Sequence, residues 1–127
     1  MGGLSEIETD YLVVGAGALG MGFVDSLIEN SDADIVVIDR HHGPGGHWLD
    51  SYPFVRLHQP SMVYGVDSTP LGQDRVEPDG NDAGFYERAS GTEICAYYDE
   101  IMRSRFLASG RVRFFPMCDY LGDQRFR

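Results

Sequence analysis

Apolar Leu12 and Val14 lead into a Gly-x-Gly-x-x-Gly turn at Gly15, Gly17 and Gly20, and a second apolar run holding Val36 and Ile38 ends on Asp39. Between them Val24 and Leu27 fall on one face of a helical repeat. The pattern predicts strand, tight turn, helix and strand over Leu12 to Asp39. A second helix is expected from Thr92 to Ser109, with Thr92 as N-cap, Gly110 just past the end, and Ile94, Tyr97 or Tyr98, Ile101, Met102 and Phe106 at helical spacing. Arg111 to Pro116 alternates, with Val112 and Phe114 on one face, and fits a third strand. Residues 119 to 127 read as a turn entering another strand. Residues 1 to 9 form a polar leader expected to be mobile, and Asp67 to Gly91, punctuated by Pro and Gly, reads as a surface excursion.

Glycine placement gives the first unit a chemistry. Gly15 allows a tight exit from the strand, Gly17 lets backbone approach a diphosphate, and Gly20 lets the helix pack closely on the sheet. The opening of that helix, at Ala18, presents free N–H groups and a positive dipole end to phosphate. Asp39, nineteen residues beyond Gly20, is placed to accept hydrogen bonds from both hydroxyls of an adenosine ribose, and it would repel a 2′-phosphate. These residues predict a dinucleotide site for FAD or NAD rather than NADP. The expected fold is α/β: a Rossmann-type three-layer arrangement with an incomplete parallel sheet, strand order 3-2-1, helices covering its faces and a long loop insertion.

Composition removes alternatives. The 127 residues include ten basic ones, all Arg, against twenty acidic, a formal net charge of −10. A surface for nucleic acid or anionic membrane is therefore not expected. The absence of Lys excludes a P-loop, Schiff-base chemistry and a Tyr-x-x-x-Lys pair. Cys95 and Cys118 have neither disulfide-scaffold nor zinc-site spacing. His41, His42, His47 and His58 lack a ligating pattern, so no metal is expected, and loop histidines near a polar cofactor, or simply exposed ones, are the reading. The longest largely apolar stretch, Tyr11 to Val24, contains four glycines and is shorter than a membrane span of about 20 residues. A cytoplasmic protein follows as the expectation.

The loop after Asp39 carries a family resemblance. Asp39-Arg40, Gly45-Gly46-His47-Trp48, Tyr52-Pro53 and Arg56 resemble the Gly-Gly-Thr-Trp and Tyr-Pro-x-x-Arg run in the N-terminal FAD domain of flavoprotein monooxygenases of the Baeyer-Villiger and flavin-containing types. With the upstream unit, the resemblance covers Asp10 to about Gly65. It implies FAD as cofactor, with Gly15, Gly17 and Gly20 at the pyrophosphate, Asp39 at the ribose, Arg40 beside the adenine, and Gly46 and Trp48 on the path to the flavin. Arg56 and Gln59 would contact the isoalloxazine or a substrate, or else hold the long loop together. Trp48 has a second reading as a loop anchor, and Tyr97 and Tyr98 read as core. His58 stands where the Baeyer-Villiger enzymes carry an Asp, which argues against that oxygenation. No second Gly-x-Gly-x-x-Gly follows, and no catalytic residue is assigned.

Two functions remain open: the FAD-binding portion of a flavin-dependent oxidoreductase, monooxygenase-like, and a non-catalytic dinucleotide-binding module. Residues 1 to 127 are expected to form one domain, the N-terminal portion of a larger flavoprotein. The isolated chain, its sheet edge open, is expected to be marginally stable or to self-associate.

Overall fold

A computed structural model describes residues 4–52, 54–61, 64–73 and 75–127. Pro53 of the resemblance and the first three residues of the leader lie outside the described residues. The order of elements is β1 (Tyr11–Val14), α1 (Ala18–Asn30), β2 (Ile35–Ile38), α2 (Gly91–Ile101), β3 (Val112–Phe115), β4 (Tyr120–Gly122) and β5 (Arg125–Phe126). β2 lies between β1 and β3 and is parallel to both, which is the expected 3-2-1 order.

Register decides which side chains meet. Tyr11, Ile35 and Val112 align across the sheet, as do Val13, Val37 and Phe114, so the alternating pleat sends them to one face. There Val13, Ile35, Val37 and Val112 form one core with Met21 and Val24 of α1 and with Ile94, Tyr98 and Ile101 of α2. Successive right-handed crossovers in one direction place both helices on this face. Val36, Ile38, Arg113 and Phe115 point to the other. There the hairpin, rather than a helix, forms the third layer: Phe126 packs on Phe115 with ring centroids 5.4 Å apart. All of β2 is buried, as its uninterrupted Ile-Val-Val-Ile run requires of a central parallel strand.

The second helix begins earlier than expected. Ser90, not Thr92, is its N-cap: the Ser90 hydroxyl accepts from the Glu93 N–H, and the Glu93 carboxylate accepts in return from the Ser90 N–H. This reciprocal pairing satisfies orphan donors that a cap at Thr92 would leave unmet. After Ile101 the chain continues through a π-helical turn, Met102–Phe106, and a 3₁₀ turn, Leu107–Ser109, before Gly110 reverses it at φ 76°. Phe106 remains fully buried. Arg105, on the widened turn, reaches Asp25 of α1 at 2.7 Å.

The long stretches are more engaged than their composition suggests. Thr9 hydrogen-bonds Asp34, and Arg113 donates to the Glu8 carbonyl, so the leader is tied down from Glu8. In the excursion, Leu71 and Ala89 are buried, as is Val66 just before it, Val76 pairs with Tyr86, and Ser68 donates its N–H and its hydroxyl to Asp25. Within the loop after β2, Trp48 and Leu57 pack inward. Tyr52 and Phe54 do not: they are 72% and 81% exposed and stack on each other.

Candidate functional site

The glycine turn links β1 to α1 through backbone alone. Gly15 adopts φ 106°, a conformation open to glycine but strained for other residues, and donates its N–H to the Ile38 carbonyl at 2.8 Å. A Cβ on Gly20 would lie 2.0 Å from the Gly15 oxygen, so only glycine lets the helix sit this close. Gly17 is the N-cap of α1. No side chain caps this end, and its first turn contains no acid. The first intrahelical bond runs from Met21 to Gly17 at 2.9 Å. The N–H groups of Ala18, Leu19 and Gly20 precede it, at the positive end of a thirteen-residue helix.

The loop after β2 folds back onto this turn. Gly45 donates to the Ala16 carbonyl at 2.9 Å, and a Cβ on Gly46 would come within 2.9 Å of the Gly17 Cα. The two bare backbones therefore meet where a side chain on Gly46 would not fit, whereas a Cβ on Gly17 would make an ordinary 3.5 Å contact with the Gly46 Cα. Gly45, at φ 134°, packs beside Cys95 and Leu49. The structure thus brings Gly15, Gly17, Ala18, Gly20 and Gly46 together in one neighbourhood.

Asp39 joins them, but not as a free carboxylate. It is 7% exposed. Oδ2 accepts the Ala16 N–H at 2.6 Å, while Oδ1 accepts the His41 N–H at 2.7 Å and lies 2.8 Å from His41 Nδ1. Burial pushes the Asp39 carboxyl up, yet the Ala16 and His41 donors outweigh it and the net shift is downward. The other ring nitrogen of His41 lies 2.9 Å from Asp50 Oδ2. Hydrogen bonds to Asp50 and then Asp39 raise the His41 pKa above its ordinary 6.5, against the smaller effect of burial. An ionised carboxylate has about four acceptor positions. Three on Asp39 are filled from within the chain, which leaves one, on Oδ2, where two ribose hydroxyls were expected.

The remaining sequence-flagged residues are dispersed. Arg40 is exposed. Trp48 is held as a loop anchor, its indole N–H donating to the Tyr64 hydroxyl at 3.0 Å and its ring lying over Gly91 at the start of α2. Arg56, 53% exposed, donates to the Arg88 carbonyl at 3.1 Å and lies 3.9 Å from Glu93, so it braces the loop against the α2 cap. Gln59 is exposed. A separate cavity of about 440 Å³, lined by His58, Pro60, Asp82, Phe85, Tyr86 and Arg88 among others, contains neither the glycine turn nor Asp39.

Sequence reasoning missed the engagement of His41 and Asp50. A signal existed for His41: in an extended chain, residues two apart share a side, so its ring can reach back to Asp39. Nothing marked Asp50. Among the described residues no cluster of three or more potential ligands could hold a metal ion, and no helix is long and apolar enough to cross a membrane.

Comparison with known proteins agrees with this geometry. Residues 13–66 match the family described as an NAD(P)-binding Rossmann-like domain. An uncharacterized protein of Mycobacterium tuberculosis is 56% identical over 121 residues, 95% of this chain but 22% of its own length. The probable FAD-binding monooxygenase AlmA of an Acinetobacter species is 28% identical over 99 residues, which is 76% of this chain and 18% of that protein. A flavin-containing monooxygenase from Stenotrophomonas maltophilia shares the fold with a TM-score of 0.61 at 18% identity, over 94% of this chain and 32% of its own. The chain thus spans about a fifth of the length of the curated relatives it matches.

Proposed function

We propose that this chain, whose residues 13–66 match the NAD(P)-binding Rossmann-like domain family and whose fold is similar to that of flavin monooxygenases, is the FAD-binding portion of a flavin-dependent, monooxygenase-like oxidoreductase. The observation that carries this reading is the uncapped, acid-free opening of α1 beside a buried carboxylate at the end of β2. Exposed N–H groups at a helix N-terminus suit a diphosphate, and the remaining acceptor position on Asp39 suits a ribose hydroxyl. The residues present therefore fit FAD. Ala18, Leu19 and Gly20 would hold the diphosphate through backbone, with Gly17 and Gly46 keeping the approach free of side chains. Asp39 would meet the ribose, with Arg40 beside the adenine. Gly46 and the anchored Trp48 would mark the path toward the flavin, while Arg56 braces the loop that leads on from them.

When bound, the flavin supplies redox chemistry, accepting hydride or activating oxygen. The chain's own part is to bind and orient. A non-catalytic dinucleotide-binding module is the second reading, and the family match to an NAD(P)-binding domain favours it. That module is expected to take FAD or NAD, so titration with FAD and, separately, NAD decides between a flavoprotein and an NAD-binding module. Tight FAD binding in preference to NAD supports the flavoprotein reading. No FAD binding by folded protein overturns it. Asp39→Ala should weaken FAD binding by roughly 1 to 3 kcal/mol through loss of charge-assisted hydrogen bonding.

The same reading includes a partner surface. Tyr11 and Val14 of β1, with Leu19 and Phe23 of α1, are 43%, 56%, 91% and 47% exposed, along a strand that, among the described residues, pairs on one side only. An open, apolar sheet edge favours self-association or cover by a further domain. Size-exclusion chromatography of the chain reads this out directly.

A further inference from the structure

Both ring nitrogens of His41 face carboxylates, Nδ1 toward Asp39 at 2.8 Å and Nε2 toward Asp50 at 2.9 Å. An ionised carboxylate only accepts hydrogen bonds, so both nitrogens must donate and the ring between them is an imidazolium. Its partners belong to different segments: Asp39 follows β2, and Asp50 closes the short helical turn Gly46–Asp50. The ring therefore clips the loop that carries Gly46 to the strand that carries the ribose acceptor. It also fills the last acceptor position on Asp39 Oδ1.

We propose that the His41 ring competes with the nucleotide ribose for the Asp39 carboxylate, so that binding displaces His41 Nδ1 from Oδ1 and is linked to loss of its proton. The inference rests on the dinucleotide reading of the site and adds to it a specificity-determining, pH-coupled residue. A vicinal diol engages a carboxylate through one hydroxyl on each oxygen, which the present arrangement prevents at Oδ1. Freed from Asp39, the imidazolium keeps only Asp50, whose side chain is 73% exposed, and it surrenders its proton more readily. Among the described residues, the titratable groups hydrogen-bonded to the ring are Asp39 and Asp50. Cys118, from the segment after β3, donates its N–H to the Asp39 carbonyl at 2.9 Å, and the exposed Arg40 and His42 flank the ring in sequence. Neither flanking side chain replaces the two carboxylates. Because binding releases a proton, affinity rises with pH and levels off above the pKa of free-state His41. Each pKa unit by which the ring falls on binding corresponds to about tenfold in affinity.

The test uses the intact chain, FAD, and ADP as a probe that keeps the ribose and diphosphate without the flavin. Affinity is measured across pH for the wild type and for His41→Leu, while NMR follows the His41 ring protons. The expected results are wild-type affinity that climbs with pH, a His41→Leu variant that binds more tightly at low pH with a flat profile, and a ring pKa that falls when ADP binds. A flat wild-type profile, or weaker binding by His41→Leu at every pH, overturns the proposal. If neither FAD nor ADP binds folded protein, the dinucleotide reading itself fails. The clip is then still read separately, because Asp50→Asn must lower the ring pKa of the free protein.

Discussion

Two glycines two residues apart on α1 should respond to the same substitution with opposite signs. A Cβ at Gly20 would lie 2.0 Å from the Gly15 carbonyl oxygen and 3.5 Å from Val13 Cγ1, whereas one at Gly22 meets nothing within 4 Å. An unstrained carbon–oxygen contact needs about 3.3 Å, so Gly20→Ala must push helix and turn apart by more than 1 Å. The obstacle is backbone and cannot rotate away. The shift also loosens Met21 and Val24, both fully buried against the sheet. Overpacking of this kind costs about 3 kcal/mol, at the upper end of its usual range, and the gain in helix propensity returns roughly 1. The net expectation is a loss of about 2 kcal/mol for Gly20→Ala and a gain of about 0.5 to 1 for Gly22→Ala. Urea unfolding followed by circular dichroism and by the fluorescence of Trp48, the only tryptophan, measures both. ADP affinity should fall in the first variant and hold in the second. A Gly20→Ala midpoint at or above wild type would refute the close approach on which the proposed phosphate-binding role of the turn depends.

Arg105→Leu should cost about 2 to 3 kcal/mol, below the usual range for breaking a buried pair because Ser68 still donates twice to Asp25. The double variant Asp25→Leu/Arg105→Leu should recover much of this in a double-mutant cycle, and additive losses would contradict the pairing. Stability should also follow pH at two points. The Asp39 contribution is present above its ordinary value of 3.8 and disappears as pH falls through the lowered folded-state value. That of His41 is complete below 6.5 and disappears as pH rises through the raised folded-state value. Urea midpoints across pH for the wild type, Asp39→Asn and His41→Leu check both limbs, and each variant should lose its own.

What the sequence revealed and what it hid divide along a physical line. The β1-α1-β2 unit was legible because backbone needs write themselves locally: a Gly where φ is positive, another where a Cβ would strike a carbonyl, apolar runs where a strand is covered on both faces. The α2 core positions were legible for the same reason, and its cap was within reach. Ser90 has Glu93 three residues on, the spacing of a reciprocal cap, whereas Thr92 has Cys95 there. The β4–β5 hairpin was hidden by its turn. Asp123 and Gln124 take φ 50° and 61°, the conformation of a tight hairpin turn, without the Asn-Gly pair that usually announces one. The Asp25 network joins residues 43 and 80 positions apart, and no local period encodes that. The same limit governs the site. A carboxylate at the end of β2 follows from spacing, but how many of its acceptor positions are free depends on where a loop returns. Because His41 and Ala16 already fill most of them, the ribose recognition proposed at Asp39 would be a competition rather than an occupancy, and its strength would depend on the charge of a histidine as well as on the geometry of the turn.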